Sequence, residues 1–199
     1  MRKRTTIASA CLGLLISANS PNAEVVVHEL TVGHHSNSPM SDTEADKILA
    51  ETSSVLRSCN VTLKRKGVVQ PFASAGTRSM IRDSTERDAV HAESFDIKVV
   101  TSIRFCRVSG AHAGCSWDPP SSDPEQPRRR SLIVEHIPIT VSNTPDPSDK
   151  LKLLGILWAH EFGHMTGLWH RSEPKALMSM CRLQKDQVEI TDQECGCFV

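Results

Sequence analysis

Three histidines and a glutamate fall within one short segment near the carboxyl end of the chain, HEFGHMTGLWH, residues 160–170. His160 and His164 are four residues apart, so on a helix both imidazoles project from one face and can reach one tetrahedral metal ion. Glu161 is rotated by about 100° from His160 around the helix, which places its carboxylate beside such an ion without making it a ligand. The spacing therefore predicts a zinc site with a base next to it.

The rest of the segment supplies a turn and a third ligand. Gly167 can adopt a positive φ, which ends the helix and lets the chain reverse direction. The reversal returns His170 as a third ligand, and three protein ligands leave one coordination position open, as in catalytic zinc sites. Zinc in such a site polarises a carbonyl group and lowers the pKa of its water towards about 7. We expect Glu161 to take the water proton and to pass it to the leaving amine.

A chance origin of the pattern can be weighed from its fixed positions. HExxHxxGxxH fixes five residues, and at roughly 5% per residue type a match arises about once in several million starting points. Every residue that the chemistry needs is intact in this chain, which argues against an inactive descendant. The extended pattern is the signature of the metzincin clan of zinc endopeptidases, which this chain therefore resembles.

A second segment carries the same resemblance. Metzincins have a methionine turn beneath the metal, and here PKALM, residues 174–178, follows His170 at a spacing similar to that of the matrixins. The resemblance implies that Met178 lies under the zinc ligands. Two features depart from the matrixins, since Arg171 stands where they commonly have serine and the turn reads LMSM rather than LMYP. The chain has no tyrosine, which excludes the tyrosine ligand of astacins and serralysins.

The resemblance extends weakly upstream of the zinc motif. Metzincins bind the substrate backbone along an edge strand before the active-site helix, and AHAGCSW, residues 111–117, is similar to that strand in the adamalysin branch. It implies substrate contacts from the backbone of Ala111, His112, Ala113 and Gly114. It also implies a cleft between a larger sheet lobe, about 24–166, and a small irregular lobe, 167–199. Calcium is compatible with the resemblance, but we find no calcium motif.

Hydrophobic periodicity predicts the elements that must position these residues. A buried helix is predicted over about 149–165, and an amphipathic helix over about 42–57, opened by a capping box of Ser41 and Glu44. Thr191 with Glu194 predicts the cap of a short final helix. Strands are predicted over 24–32, 59–65, 95–105, 111–117 and 131–139. The order predicts an α+β domain. The resemblance to metzincins implies a mixed twisted sheet and two main helices in its larger lobe.

Other segments lack regular periodicity. Residues 33–40 are predicted to be a loop, and so are residues 118–130, which contain four prolines. Residues 68–93 are mixed in pattern and have no clear assignment.

The first residues predict export from the cytoplasm. Arg2, Lys3 and Arg4 precede a short apolar run, and we expect cleavage of a signal peptide after Ala23. An uncleaved membrane anchor is the alternative. The full chain has 23 basic and 23 acidic residues, and removal of the signal peptide with its three basic residues leaves the mature chain with a net charge of −3. This charge gives no support to binding of nucleic acid or of a membrane. A secreted or periplasmic monomer is predicted.

Six cysteines lie outside the predicted signal peptide, and an even number in an exported chain predicts up to three disulfides. They are Cys59, Cys106, Cys115, Cys181, Cys195 and Cys197. Sequence alone does not choose among the 15 connectivities of six cysteines. We expect one bridge from Cys181 to either Cys195 or Cys197.

Taken together, the sequence predicts a secreted zinc-dependent endopeptidase that holds one catalytic zinc ion and acts on protein or peptide substrates. A catalytically silent binding module with the same fold is one alternative, and loss of Glu161 or of a histidine would have favoured it. A zinc amidase that acts on a non-peptide substrate is another. The chain shows no wall-binding repeat that would favour that activity.

Overall fold

The computed structural model of this 199-residue chain describes residues 24–72, 79–117, 131–136, 146–180 and 183–199. The predicted signal peptide and the predicted proline-rich loop lie outside these ranges. The described helices are α1 Asp42–Val55, α2 Ser84–His91, α3 Pro147–Met165 and α4 Asp192–Phe198, with a short 3-10 helix over Leu56–Cys59. The described strands are β1 Val26–Leu30, β2 Val32–His35, β3 Val61–Arg65, β4 Gln70–Phe72, β5 Met80–Ile81, β6 Ile97–Val100, β7 Ser102–Phe105, β8 Ser109–His112, β9 Gly114–Trp117 and β10 Ser131–Glu135.

A five-stranded sheet in the order β4-β2-β6-β10-β9 forms the centre of the fold. Its first four strands are parallel, and β9 pairs with β10 in antiparallel fashion, so β9 lies at an edge of the described sheet. Two smaller sheets accompany it, the parallel pair β1-β3 and the three strands β5-β7-β8. The described residues therefore form a mixed α/β fold, and the predicted strand near residue 114 is an edge strand.

The core lies between the two long helices and the central sheet. Ala45, Ile48 and Leu49 of α1 are buried, as are Leu154 and Trp158 of α3. A side chain on Gly155 would come within 3.0 Å of the backbone of Glu51, so this glycine lets the two helices approach closely. The burial of most of α3 agrees with its predicted apolar surface. None of the described helices is both long and apolar enough to cross a membrane.

Helix starts follow the predicted caps. The Ser41 hydroxyl accepts a hydrogen bond from the backbone N–H of Glu44 at 3.2 Å, and Thr191 with Glu194 forms a complete capping box at α4. Helix α3 starts two residues earlier than predicted. Its cap is Asp146, whose carboxylate accepts a bond from the backbone of Ser148 at 2.8 Å.

Two predicted strands are each divided between two sheets. Residues 24–32 contain β1, which pairs with β3, and the start of β2, which belongs to the central sheet. Residues 95–105 contain β6 of the central sheet and β7 of the three-stranded sheet. Runs of β-branched residues predict extended backbone, but they do not indicate where the chain passes from one sheet to another.

Three further predictions about strands and loops need correction. The predicted loop 33–40 begins inside β2, which continues to His35 because β4 and β6 pair with it on both sides. The predicted strand 111–117 is interrupted at Ala113, between β8 and β9. The unassigned region 68–93 contains β4, β5 and α2, and α2 is capped by the carboxylate of Asp83, 2.9 Å from the Glu86 backbone nitrogen.

Two disulfides join the described elements. Cys59 after α1 pairs with Cys195 in α4, and Cys106 pairs with Cys115 in β9. Of the two partners expected for Cys181, Cys195 is therefore excluded, because it is bonded to Cys59 where α4 packs against the 3-10 helix. Cys197 is also disulfide-bonded, and Cys181 lies outside the described residues.

Candidate metal centre

The C-terminal end of α3 presents two of the three predicted ligands. His160 and His164 lie on adjacent turns with their ring centroids 4.7 Å apart. The helix ends at Met165, and Gly167 follows with φ = 100°. Its backbone N–H donates to the carbonyl of His164 at 3.0 Å. A residue with a side chain adopts this φ with strain, so the glycine makes the predicted reversal of the chain possible.

The reversal brings His170 against the other two rings. Its Nε2 atom lies 3.0 Å from Nε2 of His164 and 3.3 Å from Nε2 of His160, and one ligand atom from each ring falls within 4.8 Å of the others. A tetrahedral zinc ion with bonds of about 2.0–2.1 Å needs nitrogen atoms about 3.3 Å apart. The two separations from His170 are close to this value, so the three imidazoles form a set that could hold a zinc ion.

Backbone carbonyls fix two of the rings in orientation. Nδ1 of His160 lies 2.7 Å from the carbonyl of Leu177, and Nδ1 of His164 lies 2.8 Å from that of Leu168. An imidazole that donates its Nδ1–H to a carbonyl keeps the Nε2 lone pair free for a metal. These two bonds therefore aim both Nε2 atoms at one point.

Burial keeps the ligands neutral. It is the main cause that lowers the pKa of His164 to about 4, with help from the neighbouring His160, and it also lowers the pKa values of His160 and His170. Metal binding requires the neutral imidazole. The site is therefore ready for a cation at neutral pH without first losing protons.

Glu161 is buried beside the histidines. Burial raises the pKa of this carboxyl to about 7, although a hydrogen bond from Ser116 opposes the shift. The Ser116 hydroxyl donates to the carboxylate and lies 2.9 Å from the backbone carbonyl of the same residue. A carboxyl with a pKa near neutrality can both accept and release a proton.

Strand β9 leaves room for that carboxylate. A side chain at Gly114 would place its first carbon 2.5 Å from Cγ and Cδ of Glu161, so any other residue here would displace the Glu161 carboxylate from its observed position. Gly114 and Ser116 are two residues apart and so face the same side of β9. Sequence reasoning missed Ser116, although its alternation with Gly114 in the predicted edge strand was a usable signal.

Met178 lies directly beneath the helix that carries the ligands. It is 1% exposed, and a side-chain carbon on Gly163 would come within 2.5 Å of its sulfur. The backbone carbonyl of Met178 accepts a bond from the N–H of Arg171 at 2.7 Å, which ties the methionine to the residue after His170. Met180, in contrast, is 69% exposed.

All four predicted substrate-binding residues line a cavity of about 620 Å³ that also contains the three histidines and Glu161. Ala111 and His112 belong to β8, and Gly114 to β9. The His112 ring is 3.1 Å from the carbonyl of Val108, within its own hairpin. The C-terminal segment contributes Ser179, Met180, Leu183 and Gln187 to the same cavity.

Two further lining residues were not singled out from the sequence. The guanidinium carbon of Arg107 lies 5.8 Å from the centroid of the Trp169 ring. The positive charge of Arg107 adds to burial in lowering the pKa values of His164 and His170. The place of Trp169 directly before the third histidine was the available signal for this residue.

Comparison of the sequence with protein-family models and with curated proteins gives no match. In structure, the chain is similar to archaemetzincin from Methanopyrus kandleri, with a TM-score of 0.50 and 16% identity over 81% of this chain and 84% of that one. It also aligns with metalloproteinase-II from Bacteroides fragilis, with a TM-score of 0.49 and 12% identity over 83% of this chain and 50% of that one. A zinc-dependent peptidase from Methanocorpusculum labreanum gives a TM-score of 0.47 and 15% identity, over 76% of this chain and 87% of that one.

These likenesses concern the fold. The chain spans half the length of the Bacteroides protein. The alignment with archaemetzincin shows that the chain shares the fold of that protein.

Proposed function

We propose that this chain is a secreted zinc-dependent endopeptidase of the metzincin type, matrixin-like between its zinc motif and its methionine turn. The observation that carries the proposal is the convergence of three Nε2 atoms beside a buried carboxylate in one open cavity. The fold shared with archaemetzincin supports it. The two disulfides are consistent with an extracellular or periplasmic location.

His160, His164 and His170 would hold the metal, and Met178 would support them from below. A zinc ion held there would polarise a scissile carbonyl and make a water molecule more acidic. Glu161 takes up the proton that the attacking water loses and delivers it to the leaving amine. Ser116 holds the carboxylate in place for both transfers. The Glu161 side chain is screened from bulk water, which strengthens its interaction with the reacting groups.

The substrate would lie along β9. This strand is at the edge of the described sheet, and a peptide that adds to such an edge gains backbone hydrogen bonds. Three large apolar side chains that line the cavity are strongly exposed, namely Val108, Trp169 and Met180. An open, apolar-rimmed cleft accepts the middle of a polypeptide. We propose that the cleft separates the lobes 24–166 and 167–199, and that the protein acts as a monomer.

Cleavage of a casein-type substrate tests this proposal. The purified protein is assayed with and without a chelator, after addition of zinc, and as the Glu161→Ala variant. Glu29→Ala is the matched control, because Glu29 is exposed on β1 and does not line the cavity. Activity that disappears with chelator, returns with zinc and is absent only from Glu161→Ala supports the proposal.

The contrary result is equally informative. A wild-type protein that binds one zinc ion but cleaves no peptide in a broad library would overturn the endopeptidase assignment. It would favour either the silent binding module or the amidase on a non-peptide substrate.

A further inference from the structure

Arg107 occupies a position beside the metal centre that the proposed reaction does not use. It lies between β7 and β8, directly after Cys106, whose disulfide to Cys115 ties this loop to β9. It lines the same cavity as the histidine ligands. Its guanidinium carbon lies 5.8 Å from the centroid of the Trp169 ring, and Trp169 immediately precedes His170. A fixed positive charge therefore stands at the mouth of the cavity.

Within the described ranges, this charge differs from two other arginines that are paired with a carboxylate. Arg65 bonds Asp46 at 2.8 Å, and Arg171 bonds Glu194 at the same distance. Among the residues that the structure describes, no carboxylate lies within ion-pair distance of Arg107. We expect an exposed guanidinium without such a partner to be open to an anion from outside the chain.

No described residue that lines the cavity is available as a negatively charged partner for Arg107. Glu161 is the only acidic residue among the described lining residues, and it is buried and already bonded by Ser116. It is also committed to the proton transfers proposed above. The cavity therefore combines one engaged carboxylate with one positive group that a substrate can reach.

The contact with Trp169 places the guanidinium of Arg107 within cation–π distance of an aromatic ring. Trp169 is 70% exposed, although burial of a tryptophan is usually favourable. A guanidinium placed over an aromatic ring presents its face to the ring, while its N–H groups in the plane remain available. Two of those N–H groups match the two oxygens of a carboxylate.

We propose that Arg107 and Trp169 form a subsite for a carboxylate of the substrate, so that the enzyme prefers peptides with an acidic group close to the scissile bond. The acidic group is a Glu or Asp side chain or a free C-terminal carboxylate. This proposal rests on the proposed function, because it assigns the substrate class of the same site.

Cleavage of matched peptides tests the subsite. One series carries a single Glu at successive positions around a common cleavage sequence, a second carries Gln at the same positions, and both are amidated at the C-terminus. A third series has neither acid and ends in a free carboxylate. We expect the wild type to prefer Glu over Gln about tenfold in kcat/KM at one position, or to prefer the peptides with a free C-terminus by a similar factor. A preference for Glu identifies a side-chain carboxylate as the recognised group, and a preference for the free C-terminus identifies the terminal carboxylate.

Variants connect the preference to this residue. Arg107→Ala is expected to abolish the preference, and Arg107→Glu to favour Lys at the responsive position instead. Arg104→Ala is the matched control, because Arg104 is an exposed arginine on β7 that does not line the cavity. The proposal is overturned if the wild type shows no acidic preference, or if Arg107→Ala slows acidic and neutral peptides equally.

Binding measurements separate failure of the subsite from failure of the proposed function. Dissociation constants of the same peptides, labelled for fluorescence anisotropy, are measured with zinc-loaded Glu161→Ala protein, with and without Arg107→Ala. Tighter binding of the acidic peptide that depends on Arg107 supports the subsite even if no peptide is cleaved. Equal binding of acidic and neutral peptides overturns it even if cleavage is efficient.

Discussion

Two of the segments that line the cavity form facing walls, and different contacts hold these two walls in place. The histidine wall, residues 160–178, is held by bonds between residues close in sequence. His164 bonds the carbonyl of Leu168, four residues away, and His160 bonds that of Leu177, seventeen residues away. The strand wall, residues 106–116, reaches the site through tertiary contacts.

The contacts of the strand wall span longer separations. Ser116 bonds Glu161 across 45 residues, and Arg107 meets Trp169 across a larger separation still. The Cys106–Cys115 disulfide ties the ends of this wall together. The first wall contains the three proposed zinc ligands together with Glu161 and Trp169. The second wall contacts Glu161 through Ser116 and Trp169 through Arg107. From this difference we expect that substitutions in the strand wall can change the proposed reaction without changing the proposed binding of zinc.

Removal of a proposed ligand should give the largest effect on zinc affinity, and we expect this effect only for substitutions in the histidine wall. We expect His164→Ala to weaken zinc binding by more than about 100-fold, since loss of a ligand should exceed loss of an outer-shell partner. Competition with a chromophoric chelator measures the affinity. His112→Ala is the control, because His112 is a histidine of the strand wall that lines the same cavity. Equal zinc loss in both variants would contradict the separation of the two walls.

Replacement of the base should affect the reaction and spare the metal. We expect Glu161→Gln to lower kcat by about 10²- to 10⁴-fold, because the amide cannot accept the water proton. Zinc affinity should change little, since Glu161 is not among the three ligands. Metal content and steady-state kinetics on the same preparation check both statements. A variant without zinc would show that the carboxylate also holds the ion.

The same contrast explains what the sequence could predict. The ligands and the helix end follow from spacing within one segment, and Gly167 has the expected positive φ. Met178 lies against α3 at Gly163, and its role as the methionine of a metzincin turn stays a prediction. These features depend on residues that are close in sequence, so they could be predicted without knowledge of the fold.

Features that depend on strand pairing were not predictable in this way. The contact of Ser116 with Glu161 exists because β9 pairs with β10 in one register, Leu132 opposite Ser116. The pairing of Cys59 with Cys195 depends on where α4 packs, and the chain separates them by 136 residues. Patterns in a single sequence indicate which segments are extended, but they do not indicate which other strand each segment pairs with.

The hydroxyl of Ser116 should have an intermediate effect. Its bond to the ionised carboxylate lowers the pKa of Glu161, so Ser116→Ala should raise that pKa. A larger fraction of Glu161 is then protonated at a given pH, and the acid limb of the kcat profile moves to higher pH. We expect a loss of about tenfold in kcat near the old limb, given the usual weight of a hydrogen bond to a charged group.

A conservative variant distinguishes this role from simple support of the strand. Ser116→Thr keeps the hydroxyl and should restore the position of the acid limb, while zinc affinity stays unchanged in both variants. A Ser116→Ala protein with reduced activity at every pH and an unshifted limb would reduce Ser116 to a structural residue.

The smallest effect is expected from the ion pair behind the third ligand. The Arg171 guanidinium bonds the carboxylate of Glu194 at 2.8 Å, and its backbone N–H bonds Met178. The backbone bond survives in Arg171→Ala, and partly exposed ion pairs contribute only about 1 kcal/mol or less. We therefore expect zinc affinity to fall by no more than about fivefold, with Arg82→Ala, whose arginine pairs with Glu86 on α2, as the unchanged control. A loss as large as that in His164→Ala would mean that the histidine wall depends on α4, and so on a tertiary contact like those of the strand wall.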